Sequence, residues 1–100
     1  MENAAGQFVR VDCDFGADGL WDEVGAAFYP ENLGLSPALC LALRAWQLHH
    51  DEAATVISGN PFNEEAHGAI GRQIAALVQQ ERPDLRVVYA GDVPYPGDHL

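Results

Sequence analysis

The stretch from Ser36 to Ser58, SPALCLALRAWQLHHDEAATVIS, is the one part of the chain both long and apolar enough to centre a core. Ser36-Pro37 is a helix start with a mechanism. The Ser hydroxyl can accept from a free backbone N–H, and Pro supplies the helical φ where its missing donor costs nothing. From there Leu39, Leu43, Trp46, His50, Ala53 and Ile57 recur at steps of four and three, with Leu35, Ala42, His49 and Val56 in a parallel row. Leu41 and Leu48 add apolar groups on a third side, leaving Arg44, Gln47, Asp51 and Glu52 as the clearly wet positions. The pattern predicts a central helix covered on more than one side, with Trp46 in the core.

One hundred residues suit one domain, residues 1–100, able to bury roughly 65% of the surface its unfolded chain exposes. An apolar fraction of 48% argues for folding despite a net charge of −10, because charge produces disorder only where hydrophobicity is low. All five bases are Arg, and the seven acids from Met1 to Leu35 face Arg10 alone. Such a field repels phosphate backbones and anionic lipid, so neither nucleic acid nor a membrane is an expected partner; a basic protein surface or a cation is. Solubility alone is the simpler use of that charge. MENAAGQF shows neither the basic nor the apolar region of a secretory leader, which with two well-separated cysteines predicts a cytoplasmic protein whose Cys13 and Cys40 are reduced and buried.

Taken in order, Gln7 to Asp14 alternates as a half-buried strand, with Val9, Val11 and Cys13 on one face and Phe8, Arg10, Asp12 and Asp14 on the other. On that alternation Asp12 and Asp14 are expected to be wet. FGADG turns the chain, and Leu20-Trp21 and Ala26 to Tyr29 form a short hairpin. Pro30 to Gly34 lead into the long helix, which Gly59-Asn60-Pro61 must end. A second helix starts at Asn60 or Asn63 and runs to about Arg82. Its apolar face is Phe62, Ala66, Ala69, Ile70, Ile74, Leu77 and Val78, with Gly68 and Gly71 beside it marking the close approach of another backbone. Leu85 to Ala90 is the last strand, neighbour to the first. Residues 1–6 and 91–100 are expected to be extended or poorly ordered. The expected class is α+β: a small, mainly antiparallel sheet of N-terminal strand, short hairpin and C-terminal strand, with two helices on one face.

Through GLWDE, ENLGLSPAL, LRAW, GRQIAAL and RVVY the chain resembles a group of small acidic uncharacterised bacterial proteins with a GLSPEL-like helix entry. The resemblance spans about Val11 to Tyr89. It implies a single-domain architecture and brings no assigned activity.

The strongest chemical pattern is DCDFGADGLWDE. It places Asp12, Asp14, Asp18 and Glu23 at positions 1, 3, 7 and 12 of a twelve-residue calcium loop, but puts Gly16 at position 5 and Ala17 where the turn needs Gly. Its flanks also suit strands rather than helices. His49-His50 cannot easily share an ion, since neighbouring helical residues diverge by about 100°. One of the two is expected to be a hydrogen-bonded core histidine, with His67 and His99 as distant candidate ligands. No catalytic motif is present, and no cofactor or metal is called.

Two classes of function follow. The first is an acidic interaction protein, an inhibitor or immunity-type partner of a basic protein, docking through Asp12, Asp14, Asp18, Trp21, Asp22, Glu23 and Tyr29. The alternative is a small enzyme or metal-binding protein using Asp12, Asp14 and His50. A homodimer is also expected, because apolar groups lie on more sides of the Ser36 helix than a small sheet can cover.

Overall fold

A computed structural model describes residues 7–13, 18–55 and 64–92. The fold is α+β. β1 (Phe8–Val11) is the middle strand of a three-stranded sheet, flanked by β2 (Leu20–Trp21) and β3 (Arg86–Tyr89), and α1 (Pro37–Thr55) and α2 (Glu64–Glu81) pack against it. β1 and β2 are antiparallel, with Arg10 opposite Trp21 and Val11 opposite Leu20. β1 and β3, the expected neighbours, are parallel, with Val9 opposite Val87 and Val11 opposite Tyr89. The sheet is therefore mixed rather than mainly antiparallel. Both helices lie between β1 and β3, and a crossover of that length can bring the chain back in the same direction, as a tight turn cannot.

The hairpin after β2 forms through the Trp21–Ala27 bridge and Phe28 N–H donating to Leu20 O at 2.9 Å. Its turn is tied by Asp22, whose Oδ1 accepts from Val24 N at 2.9 Å and Ala26 N at 2.8 Å. A short 3-10 helix, Pro30–Leu33, follows and buries Pro30 and Leu33. Gly34 then takes the left-handed conformation at φ 69°. α1 starts as expected: Ser36 Oγ accepts from Leu39 N at 3.3 Å. The same hydroxyl donates to Glu81 Oε2 at 2.6 Å, and Ser36 N donates to Glu81 Oε1 at 2.7 Å, pinning the start of α1 to the end of α2. The two helices are thus antiparallel.

Val9, Val11, Leu20, Leu33, Leu35, Leu39, Cys40, Leu43, Trp46, Ile74, Ala75, Val78 and Leu85 form one core. On α1 the buried side includes Gln47, expected to be wet, whose amide donates to Asp51 Oδ1 at 2.8 Å. His49 is exposed and His50 half-buried, so the core histidine is His67 on α2. On α2 the buried face is His67, Gly68, Gly71, Ile74, Ala75 and Val78, turned from the expected one, while Ile70 and Leu77 are exposed. What closes on the glycines is aromatic side chain, not backbone. A Cβ at Gly71 would stand 2.5 Å from both Trp46 Cζ2 and Tyr89 Cε1.

Edge strand β3 is held by one side chain. Gln79 Nε2 donates to Arg82 O at 3.1 Å and Leu85 O at 2.6 Å, while Val87 N donates to Gln79 Oε1 at 3.1 Å. Gln79→Ala would leave these half-buried backbone groups without partners. It is expected to cost about 1–3 kcal/mol in urea unfolding, and a loss under half of that would show that water replaces the amide.

Gly91 and Asp92, expected among the loose terminal residues, belong to a 3-10 turn, Ala90–Asp92. Asp92 accepts from Arg72 Nη2 at 3.0 Å, and the Arg72 guanidinium sits 5.1 Å from the Tyr89 ring centre. The terminal stretches 1–6 and 93–100, the helix stop at Gly59-Asn60-Pro61, Phe62 and His99 lie outside the described residues.

Candidate functional site

The acidic N-terminal third is less bare than the sequence alone implies. Asp12 is buried rather than wet, and Arg10 Nε approaches its Oδ2 at 3.5 Å. Both lie on the sheet face away from the core, where Arg10 is flanked in register by Trp21 and Val88, whose side chains shelter its stem. The Trp21 indole N–H donates to Asp12 O at 3.2 Å.

Asp18 and Glu31 converge on Arg44 from α1. Arg44 Nε donates to Asp18 Oδ2 at 3.1 Å, and its two terminal nitrogens donate to Glu31 at 2.5 and 2.7 Å. That two-point hydrogen bond holds the Glu31 carboxyl down to about 2. Arg10 is therefore not the only counter-charge. Arg44 stands 26 residues from Asp18, and no local signal links them.

Of the residues expected at a docking surface, Asp18, Trp21 and Asp22 are partly covered and tied into the fold, whereas Glu23 and Tyr29 are exposed on the hairpin. Asp14 lies outside the described residues, and with it the middle of the calcium-loop pattern. Its described members diverge: Asp12 pairs with Arg10, Asp18 with Arg44, and Glu23 projects from the turn. Among the described residues no group of three or more His, Cys, Asp or Glu side chains is placed to hold a metal ion.

A second cluster, unmarked by any motif, forms where the chain leaving β1 meets α1 and the start of α2. Trp46 and His67 stack at 4.7 Å between ring centres. They also exchange hydrogen bonds: Trp46 Nε1–H donates to His67 O at 2.9 Å, and His67 Nε2 lies 3.0 Å from Trp46 O. His49 and His50 place their rings 5.7 and 6.0 Å from that of His67, and His50 Nδ1 lies 3.3 Å from Asp51 Oδ1. Cys13 Sγ is 3.7 Å from His67 Nε2 and 3.8 Å from Trp46 O.

This has the look of a thiol–imidazole pair, but the proton logic is wrong for a nucleophile. A carbonyl oxygen can only accept, so the 3.0 Å contact with Trp46 O requires Nε2 to carry the hydrogen. The nitrogen nearest the thiol then has no lone pair to take its proton. Burial, reinforced by Asp12 and Asp51, pushes the Cys13 thiol well above its ordinary range, the reverse of an activated cysteine.

Burial also pushes His67 below its ordinary value, against the opposing pull of the Trp46 carbonyl, with His49 and His50 adding to the depression. A base depressed by folding leaves stability intact above 6.5 and lowers it as the pH falls from there towards the folded value. A thiol raised by folding leaves stability intact below 9.0 and lowers it as the pH climbs beyond. In an NMR titration the His67 ring is expected to titrate below 6.5, and at mildly alkaline pH iodoacetamide is expected to modify Cys13 far more slowly than a small free thiol. A midpoint at or above the ordinary value, or alkylation at the free-thiol rate, would contradict this arrangement.

Among the described residues, open grooves border the fold. One of about 400 Å³ lies between Arg72, Gln79, Val87 and Tyr89. Another, of about 380 Å³, lies between Glu31, Leu35, Leu41 and Arg44. Each is crossed or rimmed by an ion pair already closed within the fold, Arg72–Asp92 and Arg44–Glu31. None of the described helices is long and apolar enough to cross a membrane. No known protein family, curated protein or solved structure matches this chain.

Proposed function

We propose that the protein is an acidic interaction protein that docks on a basic protein surface, as an inhibitor or immunity-type partner does. The observation that carries this reading is the β2 hairpin. Val24 is 83% exposed at its turn and Tyr29 67% exposed at its end, with Asp22 and Glu23 just before Val24 in the chain and Glu31 just after Tyr29. An exposed aromatic and an exposed aliphatic group on one acidic hairpin have the composition of an interface anchor, with the charge steering encounter and the apolar groups supplying affinity. Tyr29 is the anchor in this reading, since Trp21 is half-buried and bonded to Asp12. The cytoplasm remains the proposed setting.

The alternative, a small enzyme or metal-binding protein using Asp12, Asp14 and His50, has less support. Asp12 is engaged by Arg10, and the His50 ring is turned to Asp51.

The test is recovery of partners from the source cell by the wild type and by a Glu23→Gln, Val24→Ser, Tyr29→Ala variant. All three changes are at exposed positions, so the fold should persist. The expected result is a basic protein retained by the wild type at low salt and lost from the variant. Equal recovery by both forms would remove the hairpin as the docking surface.

A further inference from the structure

The two helices are fastened to each other at both ends, by different chemistry. At the Ser36 end a carboxylate does it: Glu81 accepts from the Ser36 hydroxyl and N–H, and those bonds hold its carboxyl below the ordinary range. At the opposite end the fastening is imidazole. Trp46 and Gln47 are the last buried side chains described on α1, and His67 is the first on α2. The Trp46 and His67 rings stack within 8° of parallel, each bonded to the other's carbonyl, and the His49 and His50 rings stand 5.7 and 6.0 Å from that of His67.

We infer that this imidazole end is a proton-operated latch, at which acid parts α1 from α2 while Ser36 and Glu81 keep the other end joined. Imidazoles gain charge as the pH falls from neutral, so acid sets like charges on rings that the fold holds within 6.0 Å of His67. His67 Nε2 already carries the hydrogen donated to Trp46 O, so an added proton goes to Nδ1 and makes a cation of a ring only 7% exposed. Burial above all, then His49 and His50, oppose that cation and outweigh the pull of the Trp46 carbonyl. The stacked indole face only softens the penalty. An opened ring therefore binds its proton more tightly than a closed one, and opening gains on closing as the pH falls below 6.5.

The other charges around His67 do not hold the latch shut. Asp51, whose Oδ1 is 3.3 Å from His50 Nδ1, sits on α1 with His50 and moves with it. Cys13, on the chain leaving β1, is a thiol that burial keeps protonated, and Asp12 beside it is paired with Arg10. From β3 the Tyr89 hydroxyl reaches Gly68, with the Arg72 guanidinium over the same ring. Glu52 on α1 and Glu64 and Glu65 on α2 are exposed, where solvent and salt screen them. The connection between the helices, residues 56–63, VISGNPFN, carries no titratable side chain.

The two thiols read the two ends. Cys13 Sγ lies 3.7 Å from His67 Nε2 at the latch, whereas Cys40, in the first turns of α1, donates to Leu35 O at the joined end. The test is the initial rate at which dithiodipyridine modifies each cysteine of the full chain, resolved by mass spectrometry and divided by the rate of a small free thiol at the same pH. Below 6.5 the ratio for Cys13 is expected to climb, approaching about tenfold per unit of pH, the slope for one proton, while Cys40 stays protected. His67→Gln, whose amide can still donate to Trp46 O, is expected to keep the Cys13 ratio flat. His49→Gln with His50→Gln, at an exposed and a half-buried position, is expected to cut the gain by about half or more, and decides alone if His67→Gln does not fold by circular dichroism. A flat Cys13 ratio in the wild type, Cys13 and Cys40 opening together, or a gain undiminished in the folded variants overturns the latch.

Discussion

Trp46→Ala is expected to lower the unfolding free energy by about 3–5 kcal/mol, and the melting temperature by at least about 12 °C for a domain of this size. Two separate losses add up. The indole is 4% exposed, stacks on His67 and fills the notch left by Gly71, so its removal opens a large cavity in the middle of the core. Its N–H also supplies a hydrogen bond to His67 O, a helical carbonyl at the helix–helix contact that would lose its second donor. Trp46→Phe separates the two, because it keeps most of the ring and drops the donor. It should cost about 1–2 kcal/mol. If Trp46→Ala melts within a few degrees of the wild type, the indole is not the centre of the core.

The second large effect is at Gly71. A methyl in mid-helix normally improves stability by about 1 kcal/mol relative to Gly, so Gly71→Ala sets helix propensity against sterics. Sterics should win. The new Cβ would meet Trp46 Cζ2 and Tyr89 Cε1 at 2.5 Å, atoms of two rings whose centres are themselves only 6.4 Å apart. Trp46 cannot retreat without breaking its exchange of hydrogen bonds with His67, and Tyr89 can do so only by leaving its place over Gly68 and Gly71. The expected outcome is a net loss of about 1–3 kcal/mol, the usual range for overpacking. Gly68→Ala is the control. Its Cβ would meet the Tyr89 hydroxyl at 3.2 Å and Cζ at an ordinary 4.0 Å, which a small tilt of the ring relieves. That variant should fall within about 1 kcal/mol of the wild type, in either direction. Equal effects at the two positions would mean that the notch is not formed by the aromatic pair.

Local chemistry accounts for what the sequence alone determined. The start of α1 at Ser36-Pro37, the burial of Trp46 and the break at Pro83 follow from capping, periodicity and the missing proline N–H, all of which act within one helical turn. So does the class: two helices set between a first and a last strand leave a small sheet with a helical layer as the way to bury one stripe from each. The buried face of α2 was beyond that reach, because periodicity ranks residues by hydrophobicity whereas packing ranks them by fit. At the crossing with Trp46 and Tyr89 the smallest residues fit, so Gly68 and Gly71 take the centre and Ile70 and Leu77 are turned outward. Charge behaved alike. Counting along the chain left seven acids against Arg10, but the fold carried Arg44 to Asp18 and Glu31 and buried Asp12 beside Arg10. His67 was brought to Cys13 across 54 residues, and to a carbonyl that decides which of its nitrogens holds the proton. Each of these pairings depends on distance in space, which the two antiparallel helices set and no spacing along the chain encodes.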